Sequence, residues 1–341
     1  MSFQMVETKK GPLVLLFYDG YEWRARDGFL PGWQAQARRL ARYAWRTLRR
    51  KQVYTGFYTA FLALRTALER HGCDVRVNDF KTARAMPDYP IGIAGYDTVL
   101  DAVKLGNPAI FGPGDFGDPE PARQVAARPD IKLMIQPSEW FCEFYRPTCG
   151  NKMVVWPAGI DMDRWADRSG DEKSVDVLIY DKLRWHRATR VPEVLDRLTR
   201  HLDARGLTWK VLRYGHHHLA QFESALGESR SMAFLCEHET QGLACEEAMA
   251  SGVPVFAWDE GVLVDPRQVK HARPDLAVSS VPYFDDRCGR QFKLAAMEGE
   301  FDAFWAALPG YAPRAYVAET LSFEQSAKAY LELYQAAGSA A

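Results

Sequence analysis

The sequence has little net charge, few cysteines and no long apolar run, and each shortage excludes a class of protein. Its 341 residues carry a formal net charge of −1, so no overall positive field favours nucleic acid as a partner. The six cysteines are scattered without a C-x-x-C pair, which argues against a disulfide framework and a zinc site. No run approaches the roughly 20 apolar residues of a membrane span. Residues 1–10 lack the apolar centre of a signal peptide. We therefore expect a cytoplasmic protein, long enough for two domains.

The most informative stretch covers residues 232–258. Residues 232–236 are an apolar run typical of a buried strand, and residues 237–241 are polar and acidic. From Gly242 onward the residues are good helix formers, and Ser251 and Gly252 end this predicted helix. Residues 253–257 predict another buried strand. Strand, loop, helix and strand make one unit of a parallel sheet, so the predicted fold class is α/β.

The loop and the first helical turn of this unit have the residue types of a site for a sugar diphosphate. Backbone N–H groups at the predicted helix start have no intrahelical partners and favour a phosphate; they belong to Thr240, Gln241, Gly242 and Leu243. Gly242 also removes a side chain where a ligand would approach most closely. Carboxylates at Glu239 and Glu247 can accept hydrogen bonds from sugar hydroxyls. The alternative is an ordinary α/β unit with solvent-facing acids.

This stretch resembles the donor site of GT-B glycosyltransferases, especially the retaining family 4. The family motif is a Glu, seven residues and a second Glu, with a Gly three residues after the first. Here Glu239, Gly242 and Glu247 match it, and the segments 248–250 (Ala-Met-Ala) and 252–255 (Gly-Val-Pro-Val) follow in register. The resemblance implies that Glu239 contacts the transferred sugar and that Glu247 contacts the nucleotide ribose.

The same resemblance implies a domain organisation. GT-B proteins have two Rossmann-like domains with parallel sheets that face a central cleft. We expect an acceptor-binding domain over residues 1–160 and a nucleotide-sugar-binding domain over residues 161–315. Residues 316–341 are expected to form a C-terminal helix that crosses back to the first domain.

Cations follow the strand predicted over residues 175–180, and a diphosphate requires cations as well as helix amides. The family has an Arg and a Lys five residues apart at this place. Lys182 and Arg187 have that spacing with the residue types exchanged, and Arg184 lies between them. We expect these three residues to bind phosphate; the alternative is a solvated basic turn. No metal is expected, because the consecutive residues His216, His217 and His218 have no partner at ligand spacing.

The N-terminal half offers two candidate catalytic carboxylates. Asp19 follows a predicted strand over residues 12–18, at the sheet edge where ligands of open α/β sheets bind. Asp115 lies in a polar segment, residues 112–118, that we expect to be a loop after a short strand over residues 109–111. It is the nearest polar substitute for a His that the family often has there. For Asp19, a plain turn residue is an equal alternative.

Residues 21–51 contain nine cations against Glu22 and Asp27. Trp33, Leu40 and Leu48 recur at helical spacing, and arginines occupy much of the remaining surface. This pattern is typical of a basic amphipathic helix on an anionic membrane surface, here residues 33–51, or around an anionic acceptor. The alternative is a helix that packs its Leu/Trp stripe onto its own domain.

The sequence therefore favours a glycosyltransferase of the hexosyltransferase type. It would move a sugar from a nucleotide-diphosphate donor to a glycan or lipid-linked acceptor in cell-envelope synthesis, with retention of configuration. Two alternatives stay open, namely a nucleotide-sugar epimerase with the same fold and a non-catalytic nucleotide-sugar-binding module. We expect the protein in the cytoplasm or peripherally on the inner face of the membrane.

Overall fold

The chain folds into two compact units. The computed structural model describes residues 3–20, 23–25, 31–48 and 57–339. Within these ranges, the first unit contains the chain up to Gly159 and again from Phe323 onward. The second unit runs from Ile160 to Ser322.

In the described residues, the first unit is built on a seven-stranded sheet. Six strands are parallel in the order β3-β2-β4-β5-β6-β7, and β1 pairs antiparallel with β2. The strands are β1 Glu7–Thr8, β2 Gly11–Tyr18, β3 Asp74–Val77, β4 Ile91–Tyr96, β5 Ala109–Asp115, β6 Ile131–Gln136 and β7 Met153–Val155. The helices are α1 Pro31–Leu48, α2 Phe57–Arg70, α3 Phe80–Ala85, α4 Val99–Ala102, α5 Pro119–Ala126, α6 Glu139–Cys149 and α14 Phe323–Ser339, with a 3-10 turn at Gly150–Lys152.

Strand β2 is an interior strand of this sheet, paired with β1, β3 and β4, and its composition suits that position. Its residues from Leu13 to Tyr18 are all buried, as expected for a parallel strand covered on both faces. The C-terminal helix α14 packs on this unit. The Tyr334 hydroxyl accepts a hydrogen bond from the Leu15 amide at 2.9 Å, and the Trp156 indole donates to the Ser326 carbonyl at 2.9 Å. The last helix thus completes the first unit's core.

The loop predicted over residues 112–118 is wrong for its first half. Strand β5 continues through Asp115, because Gly114 and Asp115 pair with Gly95 and Tyr96 of β4. Glycine allows this close pairing. A Cβ atom on Gly114 would lie 2.3 Å from the carbonyl oxygen of Gly95. Glycine and proline therefore mark a close approach of two strands here instead of a loop.

The second unit has a parallel sheet with the order β12-β11-β10-β8-β9. Its strands are β8 Val175–Asp181, β9 Trp209–Arg213, β10 Ser229–Leu235, β11 Val255–Trp258 and β12 Gly289–Phe292. Its helices are α7 Arg187–Arg190, α8 Asp196–Ala204, α9 Leu219–Glu228, α10 Leu243–Ala250, α11 Pro266–Val269, α12 Met297–Ala307 and α13 Pro313–Thr320. A π-helical turn, Val191–Leu195, joins α7 to α8, and 3-10 turns lie at Leu294–Ala296 and Leu308–Gly310.

The strand order of the second unit locates its binding edge. The first strand in sequence, β8, lies between the second, β9, and the third, β10. The chain therefore continues from β8 toward one edge of the sheet and from β10 toward the other edge. Strands that diverge in this way leave a crevice outside their carboxyl ends. The two parallel sheets with their helices confirm the predicted α/β fold class.

Candidate functional site

The carboxyl ends of β8 and β10 bring together residues that lie more than 50 positions apart in the sequence. Asp181 and Leu235 are register partners at the last step of the two strands. The Lys182 amide donates to the Leu235 carbonyl at 2.9 Å, which extends the pairing by one residue. Lys182 and Glu239, which follow these two neighbouring strands, therefore lie close together at the carboxyl edge of the sheet.

Lys182 and Glu239 form a buried ion pair. The Nζ atom of Lys182 lies 2.7 Å from Oε1 of Glu239, and Nη2 of Arg184 lies 3.4 Å from the same oxygen. The Cys236 thiol also donates to Oε1, at 3.1 Å. Burial opposes the charge on Glu239, but Lys182 and Arg184 outweigh it and lower the pKa of the carboxyl. Burial likewise opposes the charge on Lys182, and Glu239 outweighs it, so the pKa of the lysine is raised. Glu239 is therefore an ionised, buried acid, which rules out the alternative of a solvent-facing one.

A third acid, Glu237, lies two residues before the motif and shapes the loop after β8. Its buried carboxylate accepts hydrogen bonds from the backbone amides of Arg184 and Trp185 at 3.1–3.2 Å. The Trp185 ring stacks on the His238 ring with centroids 4.6 Å apart. Burial, and then the charge of Arg184, lowers the pKa of His238 to about 4, so this imidazole is neutral. The sequence interpretation assigned no role to Glu237, and its position next to Glu239 was the only signal.

A cavity of about 210 Å³ opens beside the ion pair. It is lined by Asp181, Lys182, Leu183, Arg184, Arg187, Arg213 and Tyr214. All three predicted phosphate ligands are thus brought together. Arg187 is held by Asp181 through two hydrogen bonds of 2.8 Å each, and the Lys182 ammonium lies 4.4 Å from the centroid of the Tyr214 ring.

Arg213 is a fourth cation in this cavity that the sequence interpretation missed. It ends β9, the strand paired with β8, and its side chain is exposed. No hydrogen bond or ion pair to its guanidinium is present within the described part of the chain. The sequence offered one signal for Arg213. It lies near the end of residues 209–214, which have the composition of a strand, and the carboxyl ends of parallel strands meet at one edge of a sheet.

Helix α10 begins without a side-chain cap. Gly242 is the N-cap residue, has φ of +96°, and makes no side-chain cap. In the ranges that the structure describes, the amides of Gly242, Leu243 and Ala244 donate no hydrogen bond. These donors are therefore available to an anion at the helix start. The buried Gln241 side chain donates to Glu246 at 2.8 Å, and Thr240 lies partly exposed beside them.

Glu247 lies one residue after Glu246, and the pKa of each carboxyl is raised above its ordinary value. Burial raises the pKa of Glu247 to about 8, with Arg164 and Lys182 opposing the change. Burial also raises the pKa of Glu246 well above its ordinary value, and one of its oxygens has no partner. Among the described residues, no hydrogen bond or ion pair reaches the half-buried Glu247 carboxyl. Glu247 is therefore a poorly solvated acid whose hydrogen-bonding capacity is unused.

The two candidate carboxylates of the first unit make turn contacts. Asp19 accepts a hydrogen bond from the Ala25 amide at 2.8 Å, and one of its oxygens lies 3.7 Å from Arg24. Asp115 accepts from the Gly117 amide at 2.8 Å. Both side chains follow the carboxyl ends of parallel strands and are partly exposed. Their geometry is that of turn residues, and a catalytic role for either stays a prediction.

Of the three consecutive histidines, His217 is buried. Its Nε2 atom lies 3.2 Å from the Tyr180 hydroxyl, and its ring packs at an angle against Tyr180. Burial lowers the pKa of this imidazole. Across the described ranges, no group of three or more His, Cys, Asp or Glu side chains is arranged to hold a metal ion.

No protein-family model and no curated protein sequence matches this chain. Solved structures that are similar to it in fold include the following three. Sucrose-phosphate synthase from Thermosynechococcus elongatus has a TM-score of 0.58 at 12% identity, over 96% of this chain and 100% of its own. The lipopolysaccharide outer core galactosyltransferase WaaB has a TM-score of 0.53 at 10% identity, over 94% of this chain and 98% of its own.

The third structure is a mutant of S. aureus TarM in complex with Fondaparinux, alpha-GlcNAc-glycerol and UDP. It has a TM-score of 0.51 at 10% identity, over 75% of this chain and 57% of its own. These likenesses show that the chain has the GT-B fold, as the sequence predicted. At such low identities they show the fold alone.

Proposed function

We propose that this chain is a glycosyltransferase that moves a sugar from a nucleotide-diphosphate donor to an acceptor hydroxyl. The observation that supports this most is the cluster at the ends of β8 and β10. It combines the ionised Glu239, the cations of the 210 Å³ cavity and the uncapped start of α10. Acids that accept hydrogen bonds from hydroxyls suit the sugar. The cations, and the amides that donate hydrogen bonds to an anion, suit the diphosphate.

The roles follow from the chemistry of each group. Lys182, Arg184 and Arg187 neutralise the diphosphate together with the amides of Gly242 and Leu243. Glu239 accepts hydrogen bonds from the transferred sugar, and Thr240 and Gln241 form the turn beside it. Glu247 accepts from the ribose hydroxyls. These assignments agree with the roles that the family 4 resemblance implies.

The reaction is a substitution at the anomeric carbon. The bond between that carbon and the β-phosphate oxygen breaks, and a new bond to the acceptor oxygen forms. With retention, the new bond forms on the same face, and the acceptor proton passes to the leaving phosphate oxygen. The products are a nucleoside diphosphate and a glycoside of a glycan or lipid-linked acceptor. An inverting reaction would instead need a base, for which Asp19 and Asp115 are the candidates.

No metal is needed in this scheme, because cations and helix amides carry out the charge neutralisation. Turnover is therefore expected to persist in EDTA. Turnover that stops in EDTA and returns with a divalent cation would contradict this part of the proposal.

A thermal-shift screen against UDP, GDP, ADP, dTDP and CMP tests the donor site. A nucleotide at 100 times its Kd adds about 2.7 kcal/mol to the free energy of unfolding. We expect one nucleoside diphosphate to raise the melting temperature and Lys182→Ala to abolish the shift. Lys210→Ala, near the amino end of β9, is the matched control and should keep the shift. A screen in which no nucleotide stabilises the protein would overturn the proposal. Conversion of the sugar nucleotide to a free epimer would indicate an epimerase instead.

A further inference from the structure

Helix α1 turns its Leu/Trp stripe outward, which rules out the alternative that this stripe packs onto its own domain. Leu40 is 70% exposed and Leu48 is 88% exposed, whereas Arg38 and Arg42, on the other side of the helix, are half-buried. Residues 49–51 of the predicted basic segment lie outside the described residues. Among the described helices, none has the length and apolar content needed to cross a membrane. Nothing in the structure shows what covers the stripe, so a membrane surface there stays a prediction.

The turn that leads into α10 keeps its shape without a side-chain cap. A cap would accept hydrogen bonds from the amides of the first turn and so occupy the donors that an anion needs. Here the N-cap residue is Gly242, which makes no such bond, and the Cys245 and Glu246 amides donate to its carbonyl at 2.8 and 3.1 Å. The amides before them stay available, so another contact must support the turn.

Glu246, in the first turn of α10, supplies one such contact. Its Oε2 atom accepts a hydrogen bond from Nε2 of Gln241 at 2.8 Å, across the N-cap residue. Both side chains are buried, with Glu246 1% exposed and Gln241 6% exposed. At the other end of the turn, the Glu239 amide donates to the Ser279 carbonyl at 3.0 Å. The turn is therefore held at both ends, and neither contact uses the amides at the helix start.

Packing alone does not explain an acid at position 246. The Oε1 atom of Glu246 has no hydrogen-bond partner within the described part of the chain, and burial raises the pKa of the carboxyl. A buried polar atom without a partner costs stability, whereas an apolar side chain in the same place would not. Residues that break the rules of core packing are expected at functional sites. What Glu246 contributes instead of packing is the hydrogen bond to Gln241.

We propose that Glu246 is a positioning residue: through Gln241 it keeps the amides at the start of α10 aligned for the diphosphate of the donor. This role rests on the proposed function, which identifies the anion. The physical basis is preorganisation, because a site that is formed only part of the time binds more weakly in proportion to that fraction. Glu246 therefore raises the affinity for the anion without touching it.

Hydrogen exchange in the absence of ligand tests the support itself. Gln241→Leu with Glu246→Leu removes both partners and leaves no buried polar group behind, so this double variant should melt at or above the wild-type temperature. Peptides covering residues 243–250 should nevertheless exchange faster than in the wild type, because the first backbone hydrogen bonds of α10 open more often. Glu246→Gln should exchange as the wild type does, because its side-chain oxygen still accepts from Gln241.

Binding of inorganic pyrophosphate tests what this support does for the anion. We expect calorimetric titration to give about a tenfold higher Kd in the double variant, as for a site formed about a tenth of the time. Glu246→Gln should keep the wild-type Kd. A residue that served stability alone would lower the melting temperature when replaced and would leave the affinity of the folded protein unchanged.

The matched control is Gln221→Leu. The Gln221 side-chain oxygen accepts from the His218 amide at 2.8 Å at the start of α9, so this substitution loosens a different helix start in the same unit. It should leave pyrophosphate affinity unchanged.

Wild-type exchange and affinity in the double variant would overturn the proposal. A melting temperature of the double variant well below that of the wild type would overturn it too, as would equal losses of affinity in the double variant and in Glu246→Gln. Binding of pyrophosphate but of no nucleotide would count against the proposed function alone. A wild-type protein that binds neither would overturn both.

Discussion

The Nζ atom of Lys182 lies 2.7 Å from Oε1 of Glu239, and both side chains are buried between the ends of β8 and β10. A buried pair costs much when one partner is removed, because the other charge is left without compensation. This geometry makes the two residues structural elements of the site as well as candidate ligands of a donor. A bound diphosphate and sugar would compete with this pair for the same two charges.

Glu239→Gln should destabilise the protein strongly even without any ligand. The substitution leaves the Lys182 ammonium buried without its carboxylate, so we expect the free energy of unfolding to fall by about 3 kcal/mol. Urea denaturation measures this change. The control is Glu69→Gln, which breaks an exposed pair with Arg65 and should cost about 0.3–0.5 kcal/mol. Equal, small losses in both variants would show that burial adds nothing to the Lys182–Glu239 pair.

Glu247 should make stability depend on pH. Its pKa is about 8 in the folded protein, above the ordinary value of 4.5. A carboxyl with a raised pKa contributes stability that is fully present below pH 4.5 and is lost as the pH rises through 8. The slope is at most about 1.4 kcal/mol per pH unit. Glu247→Gln should therefore gain stability relative to the wild type between pH 5 and pH 8. Parallel stability curves for the two proteins would contradict the assignment.

Nucleotide affinity should also depend on the ionisation of Glu247. If Glu247 accepts from the ribose, its ionised carboxylate accepts more strongly than the neutral carboxyl, so wild-type affinity should rise with pH up to about 8. Glu247→Gln keeps only the titration of the nucleotide's own phosphates, which both proteins share. Calorimetric titrations from pH 6 to pH 9 measure the difference. An identical pH dependence in both proteins would place the ribose elsewhere.

Arg213→Ala should weaken binding of a nucleoside diphosphate without weakening that of the nucleoside. Its exposed guanidinium lines the cavity beside Lys182 and is available for a charge-assisted hydrogen bond, so we expect about a tenfold loss. Arg230→Ala is the matched control, since Arg230 lies near the amino end of β10 in the same sheet. Equal losses for diphosphate and nucleoside would show that Arg213 does not contact phosphate.

Gly242→Ala should cost stability through the backbone alone. A Cβ atom there would meet its nearest neighbour, the Ser280 carbonyl oxygen, at an ordinary 3.6 Å, but φ is +96°. We expect a loss of about 1–2 kcal/mol and weaker diphosphate binding, because the helix start would shift. Gly299→Ala, in the first turn of α12 with open space around it, should instead stabilise the protein by at most about 0.5–1 kcal/mol. A neutral Gly242→Ala would show that the turn relaxes without cost.

Local pattern sufficed to predict the strand, loop and helix that carry Glu239, Gly242 and Glu247. The apolar run that became β10, the polar loop and the Leu/Ala/Glu helix α10 were each legible from neighbouring residues, because strand and helix periodicity is a short-range property. The segment 112–118 was misjudged for the same reason. Its glycines signalled a loop locally, whereas the approach of Gly95 on another strand made them part of β5.

The sequence by itself determined that this chain is an α/β protein with two acids and a glycine at the spacing of a sugar-diphosphate site. Only the tertiary structure decided that Lys182 pairs with Glu239, that Glu237 holds the loop after β8, and that Arg213 joins the cavity. It also decided that α1 turns its apolar side outward. These relationships depend on which strands become neighbours and which face a helix buries, and both are set by packing between segments distant in the chain.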